Sequence, residues 1–307
     1  MLGLLAIWTG PCPAETPAKP AGNSSQDGMV WRVSGGKAPL FLAGSVHVLR
    51  PTDYPLPQSY EMAWKEAQHL VMELPAGEAK KPETLALTMK LAFLKDEKLH
   101  DRLTAETWKK VRLWCGKSGY PEAAMETMKP WMASLCIVFS FFEKQGYKND
   151  LGLEHHFSDR LEKSGKTSEG LETMEQQLQL FDSIPAPLQE EMLKLTLKQV
   201  PTMEQDLLNL ITAWRSADTE NVDKLMSRSF EGFPDLKKQM LVDRNAAWIP
   251  RLEALLQGDR ATMVLVGCAH LCGSGSVVEL LREKGYQCVP LKAPAAVPAP
   301  APVKKAA

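Results

Sequence analysis

The chain has 307 residues, and its 36 Lys and Arg stand against 37 Asp and Glu for a net charge of -1. A balance this even removes the electrostatic case for nucleic acid or an anionic membrane surface as partner. Hydrophobic content of 44% and charged content of 24% suit a soluble globular protein with a sizeable core, and six cysteines are too few for a disulfide scaffold in so long a chain.

The N-terminus carries a short apolar run at residues 2–8, followed by Thr9-Gly10-Pro11-Cys12-Pro13-Ala14. This has the shape of a signal-peptide core with a small-residue cleavage site near Ala14, although no basic residues precede it. The run falls well short of the roughly 20 apolar residues that span a bilayer, so no transmembrane span is expected. Pro11 stands before Cys12 where a lipid-anchor signal wants a small residue, and export to the periplasm or exterior is the reading kept. Residues 13–27 are rich in Pro, Ala, Ser and Gly and read as linker. The organisation expected is a signal-like segment and linker over 1–28, one domain over 29–292, and an Ala/Pro tail over 293–307.

Within the domain, residues 29–33 and 40–43 are apolar strands flanking Gly35-Gly36-Lys37, a hairpin pattern. Residues 69–74 form a third strand, stopped by Pro75. From Pro82 to about Leu256 the apolar residues recur at helical spacing, broken by Pro121, Pro130, Pro185, Pro187, Pro201, Pro234 and Pro250. Residues 131–142 are apolar nearly all round, which suits a fully buried helix. Near the end come a strand at 263–266, a helix at 277–283 closed by Gly285, and a strand at 287–291, together a βαβ-like unit. The fold class predicted is α+β: a mixed β-sheet built from both ends of the chain with a long helical insertion between them. Cys115 and Cys136 sit in helical stretches and read as buried apolar residues, while Cys268, Cys272 and Cys288 leave room for one bridge of unassigned pairing.

Chemistry is signalled by an internal echo. Leu40-Phe41-Leu42-Ala43-Gly44-Ser45-Val46-His47-Val48 repeats as Met263-Val264-Leu265-Val266-Gly267-Cys268-Ala269-His270-Leu271: apolar strand, glycine, two small or β-branched residues, histidine. Ligands of open α/β sheets gather beyond the carboxyl ends of strands, so the two histidines can meet in one site. Gly152-Leu153-Glu154-His155 matches the same bare pattern, but no apolar strand precedes it. His47 and His270 read either as ligands or as hydrogen-bonded core histidines closing strand ends. Glu73 ends an apolar strand, where a charge must reach the edge or find a partner. Two neutral imidazoles and a carboxylate suit Zn²⁺, Mn²⁺ or Fe²⁺ with a position left for water, and Glu154 or Glu172 would then serve as general base. The plainer reading of those two glutamates is solvent-facing helix charges. His69 and His100 lie among charged residues and are expected at the surface. Gly273-Ser274-Gly275-Ser276 reads as a tight turn behind His270, since it lacks the Lys-Ser/Thr ending of a P-loop.

Leu42-Ala43-Gly44-Ser45-Val46-His47, Tyr54-Pro55-Leu56-Pro57, Val71-Met72-Glu73-Leu74, Gly152-Leu153-Glu154-His155-His156-Phe157, Leu171-Glu172-Thr173 with Glu175-Gln176, Arg244-Asn245 and Val266-Gly267-Cys268-Ala269-His270-Leu271 occur in this order. The series resembles the TraB/PrgY/GumN family over nearly the whole folded region. It has Ser45 where Thr is common and Cys268 where Ala is more usual. The resemblance implies a Tiki-like metal-dependent protease, with a fold related to erythromycin esterase and ChaN. It implies that His47, His270 and Glu73 hold a divalent metal, with Glu73, Glu154, Glu172 and Arg244 as catalytic candidates. The substrate expected is a peptide or small molecule. The alternative is a non-catalytic protein that binds or sequesters such a ligand.

Overall fold

The computed structural model describes residues 27–293; the signal-like run and nearly all of the linker and of the Ala/Pro tail lie outside the described residues. Six strands form one sheet: β1 (Val30–Ser34), β2 (Leu40–Ser45), β3 (His69–Met72), β4 (Thr167–Gly170), β5 (Thr262–Gly267) and β6 (Gln287–Pro290), in the order β4-β3-β5-β2-β1-β6. The hairpin read from the sequence is present, with β1 antiparallel to β2 and Val30 opposite Ala43. Its turn needs the glycines for two reasons. Gly35 has a φ of +112°, and a Cβ at Gly36 would come within 2.2 Å of the Leu256 carbonyl oxygen.

The two echoed strands are parallel neighbours, with Gly44 opposite Val266 and Ser45 opposite Gly267. Both glycine-histidine segments therefore leave the sheet at the same edge. On the other side of β5 lie β3 and then β4, again parallel. The final strand–helix–strand unit departs from a simple βαβ, because β6 passes over β2 and pairs antiparallel with β1. The mixed sheet thus draws on both ends of the chain, as its apolar runs predict, with β4 contributed from within the helical section.

Between β3 and β5 run α2 (Pro82–Ala92), α3 (Ala105–Ser118), α4 (Pro130–Lys144), α5 (Leu153–Ser164), α6 (Met174–Asp182), α7 (Ala186–Gln199), α8 (Met203–Arg215), α9 (Thr219–Ser229) and α10 (Asp243–Leu256); α1 (Gln58–Glu66) precedes them and α11 (Val277–Glu283) follows β5. Pro130 opens α4, and Pro185 and Pro187 start α7, positions where the missing N–H costs no helical bond. Pro250 is different: it lies inside α10 and does not end it. Ala246, whose carbonyl loses its helical donor to this proline, is exposed and faces water instead. Residues 131–142 lie in α4, where none is exposed. No helix among the described residues is long and apolar enough to cross a membrane. Cys115, Cys136, Cys268, Cys272 and Cys288 are free thiols. Cys136 is only partly buried, less than its helical setting suggested.

One contact anchors the strand end that carries His47. The Gly44 carbonyl accepts from the Tyr60 hydroxyl at 2.5 Å and from the Trp214 indole at 2.7 Å, both fully buried. Trp214 also donates to the Tyr60 oxygen at 2.6 Å. Helices α1 and α8 are thereby tied to β2 at the point where the chain leaves the sheet. Tyr60→Phe keeps the ring and removes the hydroxyl; it should destabilise the protein by about 1 kcal/mol, read as a lower midpoint of urea unfolding.

Candidate functional site

The site forms beyond the carboxyl ends of β2, β3, β4 and β5, and a small set of backbone contacts decides which side chains meet there. Past β3 and β4 the chain continues to pair, with Leu171 N–H bonded to the Met72 carbonyl at 2.8 Å and Glu172 N–H to the Glu73 carbonyl at 2.9 Å. Glu73 and Glu172 are therefore set side by side by the sheet itself. Two carboxylates brought together away from water require a cation. Arg244 supplies it from the first turn of α10, just after a π-helical turn at Lys238–Val242.

The Arg244 guanidinium is 4% exposed. It donates from Nε to Glu172 Oε1 at 2.8 Å and from Nη2 to Glu172 Oε2 and Glu73 Oε2, both at 2.7 Å. Nη1 reaches the Met240 carbonyl and His270 Nε2, each at 3.1 Å. Glu73 Oε1 accepts the Gly267 N–H at 2.8 Å. Gln177 donates to both carboxylates, and Trp248 donates to Glu172 Oε1 at 3.0 Å. The Trp248 ring packs on His270 with centroids 4.5 Å apart.

His270 is fully buried. Because a guanidinium only donates, its contact with Nε2 fixes that nitrogen as an acceptor. Nδ1 then carries the proton and donates to Asn245 Oδ1 at 2.6 Å. Burial, with Arg244 and His47 nearby, holds the His270 pKa well below its usual range. Asn245 in turn donates to the Gly275 carbonyl at 2.8 Å, so the Gly273–Ser276 segment is the turn behind His270 that the sequence suggests.

The second half of the site opens to solvent. A cleft of about 70 Å³, with room for a few waters, is lined by His47, residues 72–80, Glu154, His155, Ser158 and Asp159. Here the third Gly-x-x-His copy matters, through its glycine and glutamate. A Cβ at Gly152 would lie 2.2 Å from the His47 carbonyl oxygen, so only glycine lets the two segments touch. That approach delivers Glu154, in the first turn of α5, to His47: Oε1 lies 3.0 Å from Nδ1. The Ser45 hydroxyl donates to the same oxygen.

The two cleft carboxyls are driven apart. Burial raises Glu73 above the usual carboxylate range, only partly countered by Arg244 and His47. Burial also pushes Glu154 upward, but His47 and the bonds from His47 and Ser45 outweigh it and hold this carboxyl low. Burial, with Glu154 beside it, moves the Cys268 thiol up to about 12 and favours its protonated form.

The structure thus brings His47, Glu73, Glu154, Glu172, Arg244 and His270 into one region, divided into a cleft and a closed network behind it. His270 faces Arg244 rather than the cleft. Ser45, Gln177, Asn245 and Trp248 complete the set; their sequence signal was proximity to the site residues, which does not reveal a role. His69, expected at the surface, is 5% exposed: it opens β3 and bonds Thr167 Oγ1 at 2.7 Å across the β3–β4 pair, and the polar strand β4 lies against it. His100 is partly exposed beside Glu126.

The expected metal ligands do not fit a cation as arranged. Nε2 of His270 and Oε2 of Glu73 are both directed at Arg244. Among the described residues no group of three or more His, Cys, Asp or Glu side chains is placed to hold a metal ion.

Two predictions follow from these contacts. Gly152→Ala should cost about 1–3 kcal/mol through overpacking against the His47 carbonyl, whereas Gly116→Ala, in α3 with open space around it, should be neutral or stabilising; urea midpoints compare them. Stability should also fall with pH below about 6.5, because the unfolded chain protonates His270 while the folded chain keeps it neutral. That contribution is present above the ordinary histidine value and is lost as pH drops from there toward the depressed folded value. His270→Asn, less stable at every pH, should show a shallower slope over that window.

The TraB/PrgY/gumN family model matches residues 29–290. A search of curated proteins and a search of solved structures each found no match.

Proposed function

This chain belongs to the TraB/PrgY/gumN family, and from that premise we propose that it is a hydrolase of carbonyl substrates, peptides first, that activates water in the cleft with His47. The observation that carries the reading is the 3.0 Å contact between His47 Nδ1 and Glu154 Oε1 on the cleft wall. A carboxylate held ionised beside Nδ1 favours the tautomer that carries its proton there and leaves Nε2 basic, the arrangement that lets an imidazole take a proton from water. Water would add to the carbonyl carbon as His47 accepts its proton; the imidazolium would return that proton to the leaving nitrogen or oxygen as the scissile bond breaks.

Glu154 stabilises the imidazolium, and Ser45 keeps Glu154 in place. Glu73 lines the same cleft with a raised proton affinity, which suits a second acid–base group toward the substrate. The space admits water and one small group, so a peptide would lie across the mouth against residues 74–80. Export, expected from residues 2–8, is part of this reading and would place a peptide substrate outside the cytoplasm.

His47→Ala and Glu154→Gln should each lower turnover of a cleaved peptide or ester by about 10²–10⁴ with circular dichroism unchanged. Ser45→Ala should lower it far less. Unchanged turnover in His47→Ala would sink the assignment. A wild-type chain that binds peptides but cleaves neither peptides nor esters, with or without added Zn²⁺, Mn²⁺ or Fe²⁺, would instead be a non-catalytic binder.

A further inference from the structure

We infer that the Arg244 guanidinium is a built-in cation standing where a divalent metal would bridge Glu73, Glu172 and His270, so that His270 positions Arg244 rather than binding metal. The argument is one of valence. A guanidinium has five N–H groups, and all five are used: one on Glu172 Oε1, one on Glu172 Oε2, one on Glu73 Oε2, one on the Met240 carbonyl and one on His270 Nε2. None is left over.

The acceptors are committed as well. His270 spends its remaining ring nitrogen on Asn245. Glu73 Oε1 takes the Gly267 amide, and the Glu172 oxygens also receive Trp248 and Gln177. A metal ion arriving here would have to break a bidentate arginine–carboxylate pair, among the stronger polar contacts a protein makes. It would also have to leave a guanidinium without partners in a buried place.

Neighbouring elements hold the arginine in place. Met240 belongs to the π-helical turn directly before α10. Trp248, one helical turn after Arg244, lies under the guanidinium at 5.0 Å and against the His270 ring at 4.5 Å. Asn245 fixes His270 so that its lone pair, not an N–H, meets Arg244. The three α10 residues and His270 thus form one device for keeping a positive charge between two carboxylates.

The test uses the untagged chain and needs no turnover, so its failure is separate from that of the proposed hydrolysis. Chelator-treated protein is loaded with Zn²⁺ or Mn²⁺, desalted, and assayed for metal content and melting temperature. Wild type should retain no metal that depends on His270 and should melt at the same temperature with and without it. Arg244→Met removes the charge but keeps the length; it should melt lower and be raised again by Zn²⁺, with about one metal per chain. Adding His270→Ala to that variant should abolish the rescue. Metal held by wild type and lost in His270→Ala overturns the inference, as does an Arg244→Met chain that folds yet takes no metal. If Arg244→Met fails to fold, the wild-type and His270→Ala metal contents still decide.

Discussion

Glu73 and Glu172 are brought together by backbone pairing, before any side-chain preference is consulted. Once β3 and β4 run parallel and pair one residue past their ends, two carboxylates stand beside each other with little access to water. Left alone they would be protonated or would force the sheet open. Arg244 offsets them, and to do so the first turn of α10 must reach the carboxyl edge of the sheet. That demand couples the helical section to the strands at both ends of the chain. It also explains buried polar groups that would otherwise be costly: Gln177 and Trp248 supply donors that the guanidinium cannot, and Asn245 and His270 close the remaining valences. Such a network contributes specificity of arrangement more than net stability, since buried pairs roughly balance their desolvation.

Glu73 belongs to both halves of the site. Oε2 faces the arginine, Oε1 faces the Gly267 amide, and the residue also lines the cleft with His47 and Glu154. Two glutamates within one small region are thereby pushed in opposite directions, Glu73 up by burial and Glu154 down by His47 and Ser45. Separation of this kind lets chemically identical groups hold different protonation states at one pH. It is produced entirely by what each carboxyl touches.

Much of the sheet was legible because its strands are apolar and bounded by turn residues: β2 and β5 carry the runs Leu40-Phe41-Leu42-Ala43 and Met263-Val264-Leu265-Val266, each followed by glycine, and every position of both strands is buried. Strand β4 was not, because Thr167-Ser168-Glu169-Gly170 is a polar edge strand with half its residues exposed, and polar residues at that spacing carry no strand period. With β4 paired beside it, His69 is buried although its sequence neighbours are charged. Gly152 shows the opposite failure. No apolar strand precedes its Gly-x-x-His match, yet the segment reaches the site, with Glu154 and His155 both lining the cleft. The glycine and the glutamate work through contacts more than 100 residues away in sequence, with His47 and Ser45. No local pattern encodes that distance. The same holds for Arg244, whose role depends on a pairing between β3 and β4 that the sequence does not display.

The echoed segments show how far sequence symmetry carries. His47 and His270 leave neighbouring parallel strands by the same glycine device, and the sheet register places the two departures side by side. What each histidine then becomes is set by the helix that comes to meet it. At His47 the start of α5 brings a carboxylate to within 3.0 Å of a ring nitrogen. At His270 α10 brings a guanidinium, which uses the lone pair and opposes protonation, while Asn245 holds the other nitrogen. One imidazole thereby meets a carboxylate on the cleft wall, and the other meets a guanidinium behind it and is held neutral. The difference rests on the sign of the charge facing each ring.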